Sequence, residues 1–486
     1  MNTLHINAIL EKIKSAKVAV YGDYCLDSYW IMDTRNSEVS IETGLQAQAV
    51  ERHYYTPGGA GNVVANLAAL EPASIKVIGV VGNDIFGREL AAQLQGLGAD
   101  TSSLFIQNEN FQTYSYLKRY VEGVEEPRID FGVYNQRSLE TDELILASIQ
   151  SALESCDALI FNQQVVGSIT NDSFIEKANA LFDQYSHKII LVDSRHFNER
   201  FSNVYRKLND VEAAHLNGVE VEPRTILPRA DVLKYGKALH TTSQKPVFVT
   251  CGARGITSFD ATGFNEVPGL QLTSRLDTVG AGDTVISAIT LCLSVGVSPA
   301  EAAEFANFAA GVTVQKLFTT GTANAHEILA ISQDPHYAYQ VDLAENPRQA
   351  VFLPETEIEL CDESILDRLG HIKYAVFDHD GTISTLRHGW EEIMGPVMMK
   401  AILGNHYDSV DQATYNKVLR QVKEFIHKTT GIQTIYQMEG LVNMVREAGY
   451  VPEDQILDKF EYKQIYNDAL MELVDKRVAK LQAGEL

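Results

Sequence analysis

Residues Asp277–Thr284 read DTVGAGDT and bring together two glycines, the start of a helix and a carboxylate. Gly280 and Gly282 allow a positive φ and a close approach of the backbone to a ligand. Apolar residues then recur at helical spacing, so we expect a helix to begin at these glycines. The free amides of its first turn would bind an anion, such as a phosphate whose charge grows during transfer.

Asp283 lies in the same turn, where a carboxylate has no structural reason to face a bound phosphate. It can, however, take a proton from an attacking hydroxyl. The octapeptide therefore predicts a phosphoryl-transfer site. In this prediction Asp283 is the base, and the backbone of Gly280, Ala281 and Gly282 holds the developing charge.

The composition limits the class of protein. The chain has 486 residues, enough for two or three domains, and 64 acidic residues against 40 basic ones give a net charge of −24. Such a chain repels nucleic acid and anionic membranes, so neither is expected as a partner. The scattered cysteines contain no CxxC pair, and the charged N-terminus does not resemble a signal peptide. The sequence predicts a soluble, cytoplasmic protein.

Through the first two thirds of the chain, short apolar runs alternate with helical patterns. This alternation predicts an α/β fold, with a mostly parallel sheet covered by helices on both faces. Ser298, Pro299 and Glu301 form a capping box that predicts a helix continuing to about Leu317. The predicted strands are Val18–Tyr21, Val77–Val81, Leu159–Phe161, Ile189–Val192 and Val247–Thr250.

Two stretches interrupt the alternation. Residues 30–56 and 112–134 read as extended and half-polar, which predicts antiparallel strands that project from the main sheet as a substrate lid. In residues 331–370 the periodicity fades while prolines and acidic residues accumulate, so we expect a linker there.

Three segments, in this order, carry a resemblance to a known family: GDYCLDSYW at Gly22–Trp30, PGGAGNVVANLAAL at Pro57–Leu70, and DTVGAGDT. The chain up to about residue 330 resembles the ribokinase-like (PfkB) family of sugar kinases, and within it the heptose-7-phosphate kinase domain of bacterial ADP-heptose synthesis. The resemblance implies a ribokinase-like domain over residues 1–330, with ATP and Mg²⁺ as cofactors and a sugar or sugar phosphate as acceptor. The chain has no Walker motif, so the phosphate grip differs from a P-loop.

The resemblance also implies residues for the sugar. Asp27 would hold sugar hydroxyls, although an aspartate that caps a loop is the alternative. Gly58 and Gly59 would allow close backbone approach to the sugar, and Asn62 matches the family's sugar-binding asparagine. Asn66 shares a helix face with Asn62 and either joins it or only bonds a neighbouring turn.

On the second half of the lid, Arg128 and Asp130 resemble an R-x-D element of the heptose kinases. Lys118 and Arg119 precede them and are candidates to contact a sugar phosphate, with a solvated surface as the alternative. In this family the lid strands often pair between subunits, so the resemblance also implies a homodimer.

For the nucleotide, Asn209 and Glu212 match the family's N-x-x-E element, which organises Mg²⁺ through water near the ATP phosphates. A polar helix start is the alternative for these two residues. The residues that the resemblance places along the nucleotide are Thr250, Gly252, Gly255 and Asn307.

One segment departs from the nearest family. Heptose kinases of this type usually have a charged DYxKG loop, whereas the corresponding stretch here, Phe161–Gly167, reads FNQQVVG. Asp193 matches the aspartate of that family's D-P-K segment, but Ser194 and Arg195 stand in place of the proline and the lysine. These changes leave the predicted transfer machinery intact and weaken the assignment of the sugar.

After Lys373–Phe377 the chain reads DHDGT, the first motif of the haloacid dehalogenase (HAD) phosphatases. In that chemistry Asp378 would attack phosphorus and bind Mg²⁺, and Asp380 would protonate the leaving group and complete the metal shell. The remaining residues read as helices and lack the rest of such a core. We therefore expect 371–486 to be a partial, mostly helical HAD-like segment without phosphatase activity, with Lys373–Phe377 buried against the kinase domain or another chain.

Taken together, these observations predict an ATP-dependent sugar kinase. If the heptose resemblance extends to the substrate, the acceptor is D-glycero-D-manno-heptose 7-phosphate at its anomeric oxygen. The alternatives are a kinase for another sugar or a nucleoside, and a non-catalytic sensor of sugar phosphates with a kinase fold.

Overall fold

The protein divides into two compact units. In the computed structural model the first unit comprises Met1–Leu270 and Leu276–Glu345, and the second comprises Gln271–Arg275 and Asn346–Leu486. The described residues are 1–33, 38–121, 124–169, 171–222, 225–272, 276–316, 321–333, 335–338, 351–353, 359–360, 363–377, 383, 390–407 and 409–483. No helix among them is both long and apolar enough to span a bilayer.

The first unit is built from strands and helices that alternate along most of its length. Its strands are β1 (Lys17–Gly22), β2 (Tyr24–Asp33), β3 (Ala49–Gly59), β4 (Ser74–Gly82), β5 (Asp100–Gln107), β6 (Tyr114–Val121), β7 (Val124–Glu125), β8 (Ile129–Phe131), β9 (Ala158–Gln163), β10 (Ile189–Ser194), β11 (Tyr205–Asn209), β12 (Val247–Thr250), β13 (Gly255–Asp260) and β14 (Gly263–Pro268). Its helices are α1 (Thr3–Ile13), α2 (Ala60–Ala68), α3 (Ile85–Gly96), α4 (Leu139–Ser155), α5 (Asp172–Gln184), α6 (Asp210–Leu216), α7 (Arg229–Ser243), α8 (Ala281–Ser294), α9 (Pro299–Thr313) and α10 (Ala325–Ser332).

The central sheet has nine strands in the order β14-β13-β12-β11-β10-β9-β1-β4-β5. The pairs from β12 to β5 are parallel, and β13 and β14 add an antiparallel edge. Side chains alternate between the two faces, so Val20 packs in the core that contains α2, α8 and α9, while Tyr21 packs against α4 and α5. The predicted α/β architecture is confirmed, with all five predicted strands in place.

The predicted helix at Pro299 is present as α9. The Ser298 side chain and Glu301 form the predicted reciprocal cap, and proline occupies the first turn. The helix ends at Thr313, earlier than predicted.

A second sheet forms the predicted lid. Its order is β3-β2-β6-β7, with β8 also paired to β6. Within each predicted stretch the strands pair antiparallel, as predicted: β2 with β3, and β6 with β7 and β8. The two stretches are joined by a parallel pair, β2 with β6, which runs from Cys25–Tyr114 to Met32–Val121. The lid also begins earlier than predicted, since β2 starts at Tyr24, directly after the central strand β1. Pairing of these strands with a second copy stays a prediction.

The second unit is mostly helical, as predicted. Its elements are β15 (Val351–Phe352), β16 (Glu359–Leu360), α11 (Trp390–Leu403), α12 (Gln412–Thr429), α13 (Thr434–Ala448) and α14 (Lys459–Ala483). The four helices share one core, in which Met398, Val422, Leu441 and Tyr466 are buried. Much of the predicted linker 331–370 lies outside the described residues.

The predicted strand at Lys373–Phe377 is not formed. Among the described residues the segment has no strand partner, and the side chains of Tyr374, Val376 and Phe377 are 92 %, 100 % and 68 % exposed. Burial of this segment against the kinase domain or another chain stays a prediction. The described elements that follow are helices, which satisfy their own backbone hydrogen bonds and offer no strand edge for pairing. Asp378 and Asp380 lie outside the described residues.

Candidate active site

The DTVGAGDT segment forms the start of α8. Gly280 precedes the helix with φ = 83°, a left-handed conformation that favours glycine. No side chain caps the N-terminus of α8. The Ala281 amide donates to the Thr278 carbonyl at 3.2 Å, so it is not a free donor as predicted. The amides of Gly282 and Asp283 remain to bind an anion at this helix terminus.

Asp283 is held by an asparagine from another helix. The Asn62 Nδ2 donates to Asp283 Oδ2 at 2.7 Å. Burial raises the pKa of Asp283 to about 6, with the negative charge of Asp193 adding to the effect, while the Asn62 hydrogen bond and Lys207 oppose it. Asp283 is therefore a carboxylate that can exchange a proton near neutral pH.

A buried ion pair lies beside this turn. Lys207 Nζ donates to Asp193 Oδ2 at 2.9 Å, and both side chains are less than 10 % exposed. A Cβ at position 282 would lie 2.9 Å from Lys207 Nζ, so glycine at this position lets the ammonium approach the first turn of α8. The site thus combines two free amides with one buried cation, a suitable environment for phosphate charge.

The helices that carry Asn62 and Asp283 are joined by a polar network. Asn66 Nδ2 donates to the Asn62 carbonyl at 2.9 Å, and Thr284 Oγ1 donates to Asn66 Oδ1 at 2.7 Å. Asn66 therefore has a structural role: it fixes α2 against α8 and, with them, the distance between Asn62 and Asp283.

On the lid side, Asp27 lies within β2 and does not cap a loop. Its Oδ2 is 3.4 Å from Lys118 Nζ, and burial raises the pKa of Asp27, an effect that Lys118 opposes. A Cβ at position 58 would lie 3.1 Å from Asp27 Oδ1, and Gly59 has φ = 54°. Gly58 thus leaves room beside the Asp27 carboxylate, whereas glycine at position 59 permits the positive φ and close packing on the Asp23 carbonyl.

Lys118 faces the interior of the lid, which excludes a solvated surface for this residue. Its ammonium donates to the Tyr29 hydroxyl at 3.1 Å and lies 4.7 Å from the centre of the Tyr29 ring. Arg119 instead pairs with Glu126 at 2.8 Å. Of the two basic residues, Lys118 is the one beside Asp27.

Arg128 and Asp130 are paired with each other. Arg128 Nε and Nη2 donate to the two carboxylate oxygens at 2.6 and 2.7 Å, and the guanidinium lies 4.2 Å from the Tyr116 ring centre. The pair is partly exposed at the lid, and the positive charge of Arg128 opposes the rise in the pKa of Asp27 that burial causes.

On the predicted nucleotide side, Asn209 and Glu212 form a capping box at the start of α6. Asn209 Oδ1 accepts from the Glu212 amide at 2.7 Å, and Glu212 Oε2 accepts from the Asn209 amide at 2.8 Å. Burial raises the pKa of Glu212. The helix-start alternative thus describes their bonding, while Glu212 Oε1 remains available for a further interaction.

The other predicted nucleotide residues shape a turn and a helix contact. Thr250 Oγ1 donates to the Leu208 carbonyl at 3.2 Å, and Asn307 Nδ2 donates to the Pro268 carbonyl at 3.0 Å. Gly252 and Gly255 have φ of 57° and 98° in the turn between β12 and β13.

The uncharged Phe161–Gly167 loop is anchored by Asp23. Its Oδ2 accepts from the amides of Gln164 and Val165 at 2.8 Å each and from Ser168 Oγ at 2.9 Å. Asp23 therefore has a structural role, because its carboxylate holds the start of this segment in place.

The sequence interpretation missed Lys207. A signal was present, because lysine is unusual in a strand that is otherwise buried, and it precedes the N-x-x-E element by two residues. Within the described residues, no three His, Cys, Asp or Glu side chains converge as a metal site.

Comparison with known proteins identifies the family of the chain. The chain is 32% identical to the bifunctional protein HldE of Wolinella succinogenes over 335 residues, covering 68% of this chain and 67% of that protein. It is 28% identical to the HldE of Desulfatibacillum aliphaticivorans over 479 residues, covering 94% and 93%.

Among solved structures, the ribokinase of Thermotoga maritima matches with a TM-score of 0.50 at 19% identity, covering 66% of this chain and all of that chain. Escherichia coli phosphofructokinase-2, solved in complex with potassium, gives the same TM-score, identity and coverage. These structures confirm the ribokinase-like fold. The HAD-like character of the C-terminal unit stays a prediction. The model of the pfkB family of carbohydrate kinases matches residues 15–326, and the chain belongs to this family.

Proposed function

We propose that the protein transfers the γ-phosphate of Mg·ATP to a hydroxyl of a sugar or sugar phosphate, with Asp283 as the general base. The observation that carries the proposal is the 2.7 Å hydrogen bond from Asn62 to Asp283. This bond joins α2, which follows Gly58 and Gly59, to the first turn of α8, where the amides of Gly282 and Asp283 are free. An acceptor hydroxyl beside Asn62 would thus lie next to the base.

In the proposed reaction the acceptor hydroxyl gives its proton to the Asp283 carboxylate as its oxygen attacks the γ-phosphorus of ATP, and the bond from this phosphorus to the bridging oxygen breaks, so that ADP leaves. The amides of Gly282 and Asp283 and the Lys207 ammonium stabilise the charge on the transferred group. Because the pKa of Asp283 is raised to about 6, the carboxylate is ionised at neutral pH yet more basic than an ordinary aspartate.

The residues present fit a magnesium ion held mainly by the nucleotide. Mg²⁺ usually retains several waters and takes one or two carboxylates plus substrate phosphates. Glu212 Oε1 is the oxygen that would reach such a water, since Oε2 is committed to the Asn209 amide. When bound, the ion would neutralise phosphate charge.

For the acceptor, we favour a sugar phosphate, with D-glycero-D-manno-heptose 7-phosphate at its anomeric oxygen as the specific candidate. Two observations support this class: the Lys118 and Arg128 cations lie near Asp27, and the chain is similar to proteins named HldE. The uncharged Phe161–Gly167 loop favours the alternative, a kinase for a different sugar or a nucleoside.

The test is ATP turnover by Asp283→Asn against the parent over a panel of sugars, sugar phosphates and nucleosides. The parent should turn over at least one phosphorylated sugar, and the variant should be slower by at least 100-fold, the lower range for a general base. Equal turnover by both proteins would refute the assigned base. No turnover by the parent on any acceptor, combined with tight sugar phosphate binding, would favour the sensor.

Lys118→Met tests the acceptor class. We expect KM for a phosphorylated acceptor to rise about tenfold, with kcat little changed, because a charged hydrogen bond is lost at the binding step. Arg119→Met, one residue along the strand, is the matched control. A similar change of KM for the unphosphorylated sugar would argue against a phosphate contact.

A further inference from the structure

A small polar cavity lies on the face of the central sheet opposite to the Asp283 turn. It has a volume of about 10 Å³, and its walls include Tyr21, Asp23, Arg137 and Ser168. Tyr21 packs against α4 and α5, whereas α8, which carries Asp283, packs against the other face of the sheet. A polar cavity of roughly 10–15 Å³ is just large enough for one water molecule, provided that at least two polar groups bind it.

Arg137 contributes a buried cation with one unused donor. Its side chain is 3 % exposed, its Nε donates to Asp142 Oδ1, and its Nη1 donates to the Tyr21 hydroxyl at 2.8 Å. Its Nη2 is also buried and has no hydrogen-bond partner among the described residues. A buried donor of this kind costs free energy unless it finds an acceptor. The Tyr21 hydroxyl, which accepts from Arg137, still has its own proton to donate.

Asp23 contributes the matching acceptor. It is buried, and the Gln164 amide, the Val165 amide and Ser168 Oγ all donate to its Oδ2. Its Oδ1 accepts from none of the residues that the structure describes. Burial raises the pKa of Asp23, and the positive charge of Arg137 opposes this rise, so the two groups interact across the cavity.

These two residues stand where the chain first enters the lid and where it finally leaves it. Asp23 separates β1 from the first lid strand β2, and Arg137 lies between the last lid strand β8 and α4. The two inner crossings are joined to them by direct hydrogen bonds. The Ala60 amide, after β3, donates to the Asp23 carbonyl at 3.0 Å, and the Asn135 side chain exchanges two bonds with the backbone of Gln112, before β6. A link between Asp23 and Arg137 therefore joins all four crossings.

We propose that the cavity binds one water molecule that bridges Arg137 Nη2 and Asp23 Oδ1, and that this bridge fixes the base of the lid to the central sheet. The water accepts from Arg137 and from the Tyr21 hydroxyl and donates to Asp23, which gives it about three partners, the usual number for a buried water. Such a water-mediated bond is nearly as favourable in enthalpy as a direct one. Arg137 is thus a positioning residue, which acts through Asp23 on the strand that carries Asp27.

The bridge itself is tested by a crystal structure of the full chain at a resolution that shows ordered water. The expected result is one water within about 3.2 Å of both Arg137 Nη2 and Asp23 Oδ1. A cavity without a water, or a direct contact between the two groups, would overturn the proposal.

Val80→Ile tests the role of the bridge while every charged group is kept. Val80 lines the cavity, so the added methyl group should displace the water. Hydrogen exchange followed by mass spectrometry then measures the opening of the lid strands β2 and β6. Exchange there should become about tenfold faster, as for the loss of one hydrogen bond to a charged group, while exchange in β12 stays unchanged. Val81→Ile is the matched control, because Val81 packs on the other face of the same strand.

Arg137→Met should accelerate lid exchange in the same way, and Val80→Ile keeps the test valid if Arg137→Met does not fold. Trp30 in β2 gives a spectroscopic readout in a Trp390→Phe background, since acrylamide should quench its fluorescence more strongly in both variants. Unchanged lid exchange in Val80→Ile would show that the water does not secure the lid. Equal acceleration in β2 and β12 would show a general loss of stability, and either result overturns the proposal. None of these measurements uses ATP or an acceptor, so their outcome does not depend on the proposed kinase reaction.

Discussion

Replacing Asp283 with asparagine should stabilise the kinase unit while removing its activity. The pKa of Asp283 is about 6 in the folded protein, against 3.8 for an ordinary aspartate. Between these values the folded state binds more protons than the unfolded state, so stability falls as the pH rises through this window. The ionised carboxylate therefore lowers the free energy of unfolding at neutral pH.

The magnitude follows from the shift. Each pKa unit corresponds to about 1.4 kcal/mol, so a shift of about two units costs at most about 3 kcal/mol at pH 7. At pH 4 the cost falls to about 0.5 kcal/mol, because Asp283 is protonated in the folded state. Asparagine carries no charge and can still accept the hydrogen bond from Asn62.

Urea unfolding at several pH values measures this difference. The chain has two tryptophans, Trp30 in the first unit and Trp390 in the second, so a Trp390→Phe background reports on the kinase unit. The advantage of Asp283→Asn should grow from pH 4 to pH 7. Glu199→Gln, at an exposed position of the same unit, controls for the loss of one negative charge. An Asp283→Asn variant that is no more stable than the parent at pH 7 would refute the reasoning.

Three further predictions concern the same unit. Below pH about 6, kcat/KM should fall about tenfold per pH unit as Asp283 becomes protonated, and a pH–rate profile measures this fall. A flat profile down to pH 5 would contradict the assignment of Asp283 as the general base. Gly282→Ala should lower kcat at least tenfold, because its Cβ would lie 2.9 Å from Lys207 Nζ and displace the ammonium. Steady-state kinetics measures this loss, and an unchanged urea unfolding curve would show that the variant is still folded. Gly255→Ala should lower the free energy of unfolding by more than about 3 kcal/mol, because its Cβ would lie 2.0 Å from the Val267 carbonyl oxygen. Gly263→Ala, also at a positive φ but in open space, should lower it by only about 1–2 kcal/mol. Equal losses for the two variants in urea unfolding would contradict this reasoning and show that the backbone relaxes around the new side chain.

The central sheet and the start of α8 at the glycine turn were predictable because their signals are local. Apolar runs such as Val247–Thr250 and the capping box at Ser298 depend on neighbours within a few residues, and both are present as predicted. The start of α8 at Asp283 was predictable for the same reason, since the glycines and the helix start are contiguous, while the role of Asp283 as a base stays a prediction. The residues in these patterns are fixed by local geometry.

The features that the sequence did not predict depend on contacts between segments that are far apart along the chain. The parallel pairing of β2 with β6 is set by the approach of residues some 90 positions apart along the chain, which no local pattern records. Lys207 acquires its place from Asp193 on the neighbouring strand, and Arg206 from Asn198 in a loop. The exposed Lys373–Phe377 has the pattern of a strand, but a strand needs a partner that these described residues do not provide.

The direct passage from β1 into β2 limits how the lid can move. Asp23 is the single residue between the two strands, and three hydrogen bonds fix its carboxylate to the segment Gln164–Ser168 that follows β9. At about 3.3 Å per residue, Asp27 lies only about 13 Å from this pivot, whereas Asp33 at the far end of β2 is about 33 Å away. A 10° swing, taken for scale, would move Asp33 by about 6 Å but Asp27 by about 2 Å. The outer lid can thus swing open while the Asp27 carboxylate, which we propose binds the sugar, stays close to its position relative to Asn62 and Asp283.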